Sequence, residues 1–310
     1  MLRISAVFTV PGDALAGAAA TGRRPHRGTL LAAGTSLCLY EAGMALNDWA
    51  DRDIDTVERP HRPLPSGRIK PGAALAAAGG LTAAGLALAA AAGRPALATA
   101  TALAGSVWAY DLRLKNTAAG PAVMAAARAL DLLLGATATA TAPSPGRSIS
   151  MAAEARPAGG QDAVRAALPS ALLLGAHTLA VTVVSRHEVQ GGSSAPPLAA
   201  LAATAGIAWS AARDGTGIPP APASGPAQRA ARIAVTVIAA SYGATAARPF
   251  AHAALNPSPQ LLQRAVGGGI RAMIPLQAAL AARAGAVHTA LPLLAVLPVA
   301  RRLSRRVSPT

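Results

Sequence analysis

Residues 28–47 read GTLLAAGTSLCLYEAGMALN and hold a single charge, Glu41. Residues 48–70 follow as DWADRDIDTVERPHRPLPSGRIK, dense in charge, and residues 71–92, PGAALAAAGGLTAAGLALAAAA, hold none. A helix needs about 20 mostly apolar residues to cross the hydrocarbon of a bilayer. Both flanking runs reach that length, and the charged segment between them reads as the loop that joins two crossings. The stretch predicts a helical membrane bundle.

The same alternation runs through the chain. Of 310 residues, 52% are apolar and 13% charged, and the mean hydropathy is +0.38. An ordinary soluble domain carries roughly a quarter charged residues. Disorder needs low hydrophobicity with high charge and is excluded. Cys38 is the only cysteine, which excludes a disulfide scaffold; in an apolar run it reads as a small inert hydrophobe. The 28 Lys and Arg against 13 Asp and Glu give a net charge of +15. Such an excess serves either phosphate contacts to nucleic acid or the loops of a polytopic protein. Its distribution decides: 71–92, 95–110, 119–142 and 230–247 are almost free of charge, and the arginines fall between them and at the C-terminus. Three Trp, three Tyr and two Phe offer little to stack bases on. The expected partner is the lipid bilayer, with no nucleic acid. The dominance of Arg over Lys reads as coding bias in a GC-rich genome.

Candidate spans lie near 4–20, 28–47, 71–92, 95–110, 119–142, 164–185, 197–212, 230–250, 261–283 and 286–303. The weakest is 261–283, interrupted by Arg264 and Arg271 and loosened by Gly267, Gly268 and Gly269. The expectation is one all-α domain over 1–310, a polytopic transmembrane bundle of about nine helices. Pro11, Gly12 and Asp13 break the first apolar run, so the N-terminus reads as an uncleaved first helix rather than a signal peptide. Gly79, Gly80 and Gly85 suit close helix packing in lipid. The Pro-, Gly- and Ser-rich stretches 142–163 and 213–229 read as connections outside the membrane.

The chemistry concentrates in 46–70. Five of the thirteen acids fall there, Asp48, Asp51, Asp53, Asp55 and Glu58, interleaved with Arg52, Arg59, Arg62, Arg68 and Lys70. If the helix continues, Asp48, Asp51 and Asp55 share a face, with Asn47 one turn before Asp51. Carboxylates so close repel one another unless a cation lies among them. Hard oxygens on one face suit Mg2+, which binds through a few carboxylates plus substrate phosphate and water. The arginines can meet the remaining phosphate oxygens in bidentate fashion.

Asn47-Asp48-x-x-Asp51-x-x-x-Asp55, followed by Arg59-Pro60-x-Arg62-Pro63-Leu64-Pro65-Ser66-Gly67, resembles the first aspartate-rich motif of UbiA-type intramembrane prenyltransferases. Tyr110-x-x-x-Leu114-Lys115 resembles that family's signature after its fourth helix. The resemblance implies a nine-helix bundle around a central cavity and Mg2+-dependent transfer of a prenyl group from its diphosphate to a small acceptor. It implies that Asn47, Asp48, Asp51 and Asp55 hold Mg2+, with Asp51, Asp55 and Lys115 catalytic. It places Arg59, Arg62, Arg68 and Tyr110 toward the substrate.

The family's second motif, another aspartate cluster after the sixth helix, has no counterpart. That place reads Val184-Ser185-Arg186-His187-Glu188-Val189-Gln190-Gly191-Gly192. Three readings stay open. Glu188 serves as a single metal ligand and catalytic residue while Arg186 binds substrate and supplies the fixed charge of a second metal; or the site binds a prenyl diphosphate without turnover; or a different acceptor chemistry is run with His187 as base. The pattern resembles a divergent UbiA-like subgroup found in ebo-type biosynthetic clusters, as do Pro275-Leu276 and the terminal Ser308-Pro309-Thr310. A non-enzyme alternative is a divergent member that binds isoprenoid or assists metabolite export. CDP-alcohol phosphotransferases, also membranous and rich in aspartate, open their motif with Asp-Gly, which 46–70 lacks.

Ionisable residues inside spans are functional candidates. Arg128 and Asp131 lie three apart in 119–142, so an intrahelical pair is possible, and Arg128 is a candidate for lining the cavity. His177 and Thr178 read as bridges between helices. The expected location is a bacterial inner membrane with the site cytoplasmic. RRPHR at 23–27 then faces outward, against the positive-inside tendency, and Arg301, Arg302, Arg305 and Arg306 face outward with nine spans.

Overall fold

The computed structural model describes residues 9–141, 159–213, 225–295 and 298. Its helices are α1 (Val10–Ala20), α2 (Arg27–Ala50), a short α3 (Arg52–Glu58), α4 (Pro71–Ala92), α5 (Arg94–Ala109), α6 (Gly120–Thr141), α7 (Gly160–Ser185), α8 (Ala195–Ala212), α9 (Pro226–Leu255) and α10 (Pro259–Arg283). Helical backbone resumes at 287, and the described residues contain no strand. Seven helices, α2, α4 and α6 to α10, are long and apolar enough to cross a membrane. With α1 and α5 they make nine longer helices among the described residues. The protein is an integral membrane bundle, all-helical as expected. The arginines at 301–306, most of both proline-rich connections and the run before Thr9 lie outside the described residues.

Contacts at the helix ends give an alternating up-and-down arrangement. At one end Lys115, after α5, pairs with Asp51 at the end of α2. There Arg186, after α7, donates to the Thr117 carbonyl ahead of α6. The Gly192 amide, ahead of α8, donates to the Pro257 carbonyl between α9 and α10 at 3.0 Å. At the opposite end His26 Nε2 donates to the Thr139 carbonyl (2.9 Å) and Thr141 Oγ1 to the Ala92 carbonyl (3.1 Å).

Pro11 stands in the first turn of α1, where a missing N–H costs nothing. One expectation changes: the run 261–283 is not the weak span, since α10 is the most buried of the seven crossing helices. Its glycines are the reason: Gly268 lies against Pro249, and a Cβ on Gly269 would come within 2.5 Å of Val181 Cγ2. Small residues let backbones approach in lipid, so these glycines tighten the bundle. In α4 that role belongs to Gly85, which faces Cys38 and Leu39, whereas Gly79 and Gly80 face open space.

Most polar groups buried between the described helices are partnered, as a low-dielectric interior requires; Gln277 Oε1 is left without a hydrogen bond. Arg128 on α6 reaches Asp13 on α1 (Nε to Oδ2, 2.9 Å) and donates to the Thr9 carbonyl at 3.3 Å. Gln277 on α10 donates to the same Asp13 and Thr9, each at 2.6 Å. Asp131, available as an intrahelical partner for Arg128, accepts instead from Ser36 on α2. His177 joins α7 to Tyr242 of α9 (3.0 Å) and the Gly269 carbonyl of α10 (2.9 Å), while Thr178 bonds within its own helix.

Candidate active site

At Asp51 the backbone leaves α2 and re-enters as α3, yet helical spacing survives the joint. The amides of Asp51, Asp55 and Arg59 donate to the carbonyls of Asn47 (2.9 Å), Asp51 (2.8 Å) and Asp55 (2.9 Å). Asn47, Asp51 and Asp55 therefore stay on one face, with Asp48 beside them. Beyond Glu58 a helix cannot continue, because Pro60, Pro63 and Pro65 lack the amide and fix φ. The chain folds back instead: the Ser66 amide donates to the Arg62 carbonyl (3.0 Å) and the Ile69 amide to the Pro63 carbonyl (3.1 Å). Gly67 turns at φ +73, a conformation that side chains with a Cβ rarely adopt.

The fold-back returns Arg62 to the acids. Its Nη1 lies 2.6 Å from Asp55 Oδ2 and 3.7 Å from Asp48 Oδ1, so two carboxylates share one cation. Arg59 Nη1 adds a looser contact to Asp55 Oδ1 at 3.7 Å. Asp55 is the buried member of the set, its side chain only 4% exposed. Asp51 accepts from Asn47 Nδ2 at 3.0 Å through one oxygen and pairs with Lys115 through the other.

Lys115 arrives from α5 through a π turn, Tyr110–Leu114, in which its amide donates five residues back to the Tyr110 carbonyl at 2.9 Å. Such wide turns often mark functional sites because they shift the helical register by one residue. The same turn holds a carboxylate that the sequence reading missed. Asp111 is buried beside Gly43 of α2. It lies past the apolar run that ends at Tyr110, and burial pushes its carboxyl up to about 7; the Lys115 charge opposes the shift and that of Asp51 adds to it. Its position one helical turn before Lys115 was the available signal. Tyr110 is half-buried on this turn.

The other predicted residues go elsewhere. Arg68 braces the fold-back, donating to the His61 carbonyl at 2.6 Å and to Ser66 Oγ at 3.0 Å. Arg128 belongs to the Asp13 network within the bundle. Arg186 is exposed and holds the Thr117 carbonyl two residues beyond Lys115, which ties the turn after α7 to the turn after α5. Glu188 is half-buried on that turn. His187 Nδ1 donates to the Val183 carbonyl at 3.1 Å within its own helix end.

Among the described residues no three His, Cys, Asp or Glu side chains converge into a ready metal cage. The donor set fits Mg2+ in another way. That ion takes one or two carboxylates and completes its octahedron with substrate phosphate and water. Asp48 and Asp55 already bracket a single cationic group, and Asp51 with Asn47 adds hard oxygens on the same face. Lys115 on Asp51, with Arg62 and Arg59 on Asp55, puts fixed positive charge beside those oxygens.

The profile of the UbiA prenyltransferase family matches residues 5–250. Digeranylgeranylglyceryl phosphate synthase of Methanopyrus kandleri is 34% identical over 114 residues, 37% of this chain and 40% of that protein. The Methanoregula boonei protein of the same name is 39% identical over 90 residues, 29% of this chain and 32% of that one. The matched stretches thus span two-fifths or less of these curated relatives. Among solved structures, a UbiA homolog from Aeropyrum pernix K1 superposes with a TM-score of 0.59 at 18% identity, covering 87% of this chain and 98% of that one. A structure of digeranylgeranylglyceryl phosphate synthase in membranes superposes with a TM-score of 0.57 at 16% identity, covering 91% and 94%. At such identities the likeness concerns the fold.

Proposed function

Because this chain belongs to the UbiA prenyltransferase family, we propose that it moves a prenyl group from a polyprenyl diphosphate to a small acceptor with Mg2+, at the end of the bundle where α2 meets α3. The observation that carries this reading is the face of Asn47, Asp48, Asp51 and Asp55 met by Arg62 from the fold-back and Lys115 from the π turn. The site would face the cytoplasm of a bacterial inner membrane.

Asp48, Asp51 and Asp55, with Asn47, would hold the metal. Mg2+ bound there would neutralise the diphosphate and draw negative charge from the breaking carbon–oxygen bond. Lys115, Arg62 and Arg59 would exchange carboxylate contacts for phosphate oxygens and stabilise the departing diphosphate. Both electrons of the broken bond leave with diphosphate; the acceptor forms the new bond to the prenyl carbon and gives up a proton. A dry cavity would keep water from the carbocation-like prenyl group.

A second reading is favoured by one observation, the run Arg186-His187-Glu188 in place of a second acid cluster: a divergent member that binds isoprenoid without turning it over. Purified protein in proteoliposomes, given allylic diphosphates of several lengths with aromatic and glyceryl phosphate acceptors, separates the two. Transfer with Mg2+-dependent release of diphosphate supports the enzyme. Saturable donor binding without release supports the binder.

A further inference from the structure

The proposed transfer leaves the acceptor's proton without a destination, and one carboxylate beside the site has no task. Asp111, on the π turn, is only 6% exposed. A buried carboxylate normally draws hydrogen bonds from its neighbours. The other buried acids do so: Asp13 accepts from Gln277, Asp131 from Ser36 and Asp55 from Arg62. Among the described residues Asp111 receives no hydrogen bond, and the charges that reach it are those of Lys115 and Asp51. The Lys115 ammonium itself is held by Asp51.

Two parallel helices set the place of this carboxylate. Both run toward the aspartate-rich end, α2 into Asp51 and α5 into the π turn. Gly43, Asn47 and Asp51 are four apart and form one stripe of α2. Lys115 meets the outer end of that stripe at Asp51. Asp111 meets its inner end, for a Cβ on Gly43 would come within 3.7 Å of Asp111 Oδ2 and 2.9 Å of Val107 Cγ1. With no side chain at 43, the carboxylate borders bare helix there. Gly43 is one turn deeper in the bundle than Asn47, about 6 Å at about 1.5 Å per residue. On the prenyl-transfer reading, the diphosphate sits at Asn47 to Asp55 and its apolar chain enters the bundle. The carbon that changes partners then lies just inside the diphosphate, at the level between Asn47 and Gly43 that Asp111 borders.

We propose that Asp111 takes the proton of the acceptor, and that the acceptor's nucleophile is the hydroxyl of an alcohol or phenol; this rests on the prenyl-transfer reading of the site. As the hydroxyl oxygen bonds to the prenyl carbon, its proton passes to an Asp111 oxygen. The bond from that carbon to diphosphate breaks with both electrons going to diphosphate, and the product is a prenyl ether. A carboxylate favours this acceptor over a ring carbon, because it accepts strongly from O–H and only feebly from C–H. One π turn thus serves both partners, Lys115 the leaving diphosphate and Asp111 the incoming hydroxyl.

The test separates release of diphosphate from transfer. Purified full-length protein in proteoliposomes receives geranylgeranyl diphosphate and Mg2+, with an alkylglyceryl phosphate that carries a free hydroxyl as acceptor. The unaltered protein makes the ether. Asp111→Asn, close to it in size, lowers ether formation by about a hundredfold, the scale of a positioned base. Mg2+-dependent release of diphosphate persists in that variant, with water as the alternative acceptor, and shows that the fold and the metal site are intact. Asp111→Glu recovers part of the ether. Undiminished ether from Asp111→Asn overturns the proposal. So does a loss of release in step with transfer, which would make Asp111 a support for the metal face. Transfer by the unaltered protein to a ring carbon of 4-hydroxybenzoate, with no ether from the free hydroxyl, overturns the choice of acceptor. Absence of release from the unaltered protein overturns the prenyl-transfer reading itself, and this inference with it.

Discussion

The ends of α2 and α7 reach the same face of the bundle and carry opposite chemistry. After α2 stand four hard-oxygen side chains, each met by a neighbour: Arg62 on Asp48 and Asp55, Lys115 and Asn47 on Asp51. After α7 stand Arg186, His187 and Glu188, and the arginine faces the Thr117 carbonyl rather than an acid. One end gathers carboxylates around basic side chains and the other carries a cation of its own. Under the proposed reading the first end would hold Mg2+, and Arg186 would supply the fixed positive charge of a second metal.

The largest effect is expected at the first end. Asp51→Ala or Asp55→Ala lowers transfer by about a thousandfold, the scale on which fixed electrostatic groups act in catalysis; initial rates in proteoliposomes measure it. Lys115→Ala follows, with a loss of about a hundredfold, and Lys115→Arg recovers part of it if positive charge is what the position provides. Arg186→Gln is expected to cost about tenfold, with a steeper dependence of rate on Mg2+ concentration. If the loss equals that of Asp51→Ala, the two ends are not different in kind. Glu188→Gln has the smallest catalytic effect, under about tenfold; a hundredfold loss would make the second end a metal site after all.

The packing offers a control outside this contrast. Gly269→Val places a branched side chain against Val181 and is expected to destabilise the bundle by about 1–3 kcal/mol. Thermal unfolding of detergent-solubilised protein measures it.

The end of α2 was legible because its helical period alone puts Asn47, Asp51 and Asp55 on one face. The partners were legible only as a set of basic residues: which arginine returns to the acids depends on the three prolines and Gly67, and that left Arg62 facing Asp55 while Arg68 turned to His61. Asp111 escaped notice because its neighbour Asp51 arrives from another helix. Arg128 misled for the same reason. Asp131 is its neighbour in sequence, but Asp13, on α1, is its partner in space. The glycines of α10 were read as looseness because a sequence does not show what lies across from them. In a membrane interior, where backbone approach replaces the hydrophobic drive, Pro249 and Val181 turn those gaps into contacts.

On the proposed reading, a metal held at the end of α2 assists transfer. The most direct test is prenyl transfer from an allylic diphosphate in proteoliposomes, comparing the protein with Asp51→Asn, each with Mg2+ and with EDTA. Product is expected only from the unaltered protein with Mg2+. Equal product from Asp51→Asn, or from the unaltered protein in EDTA, would contradict it.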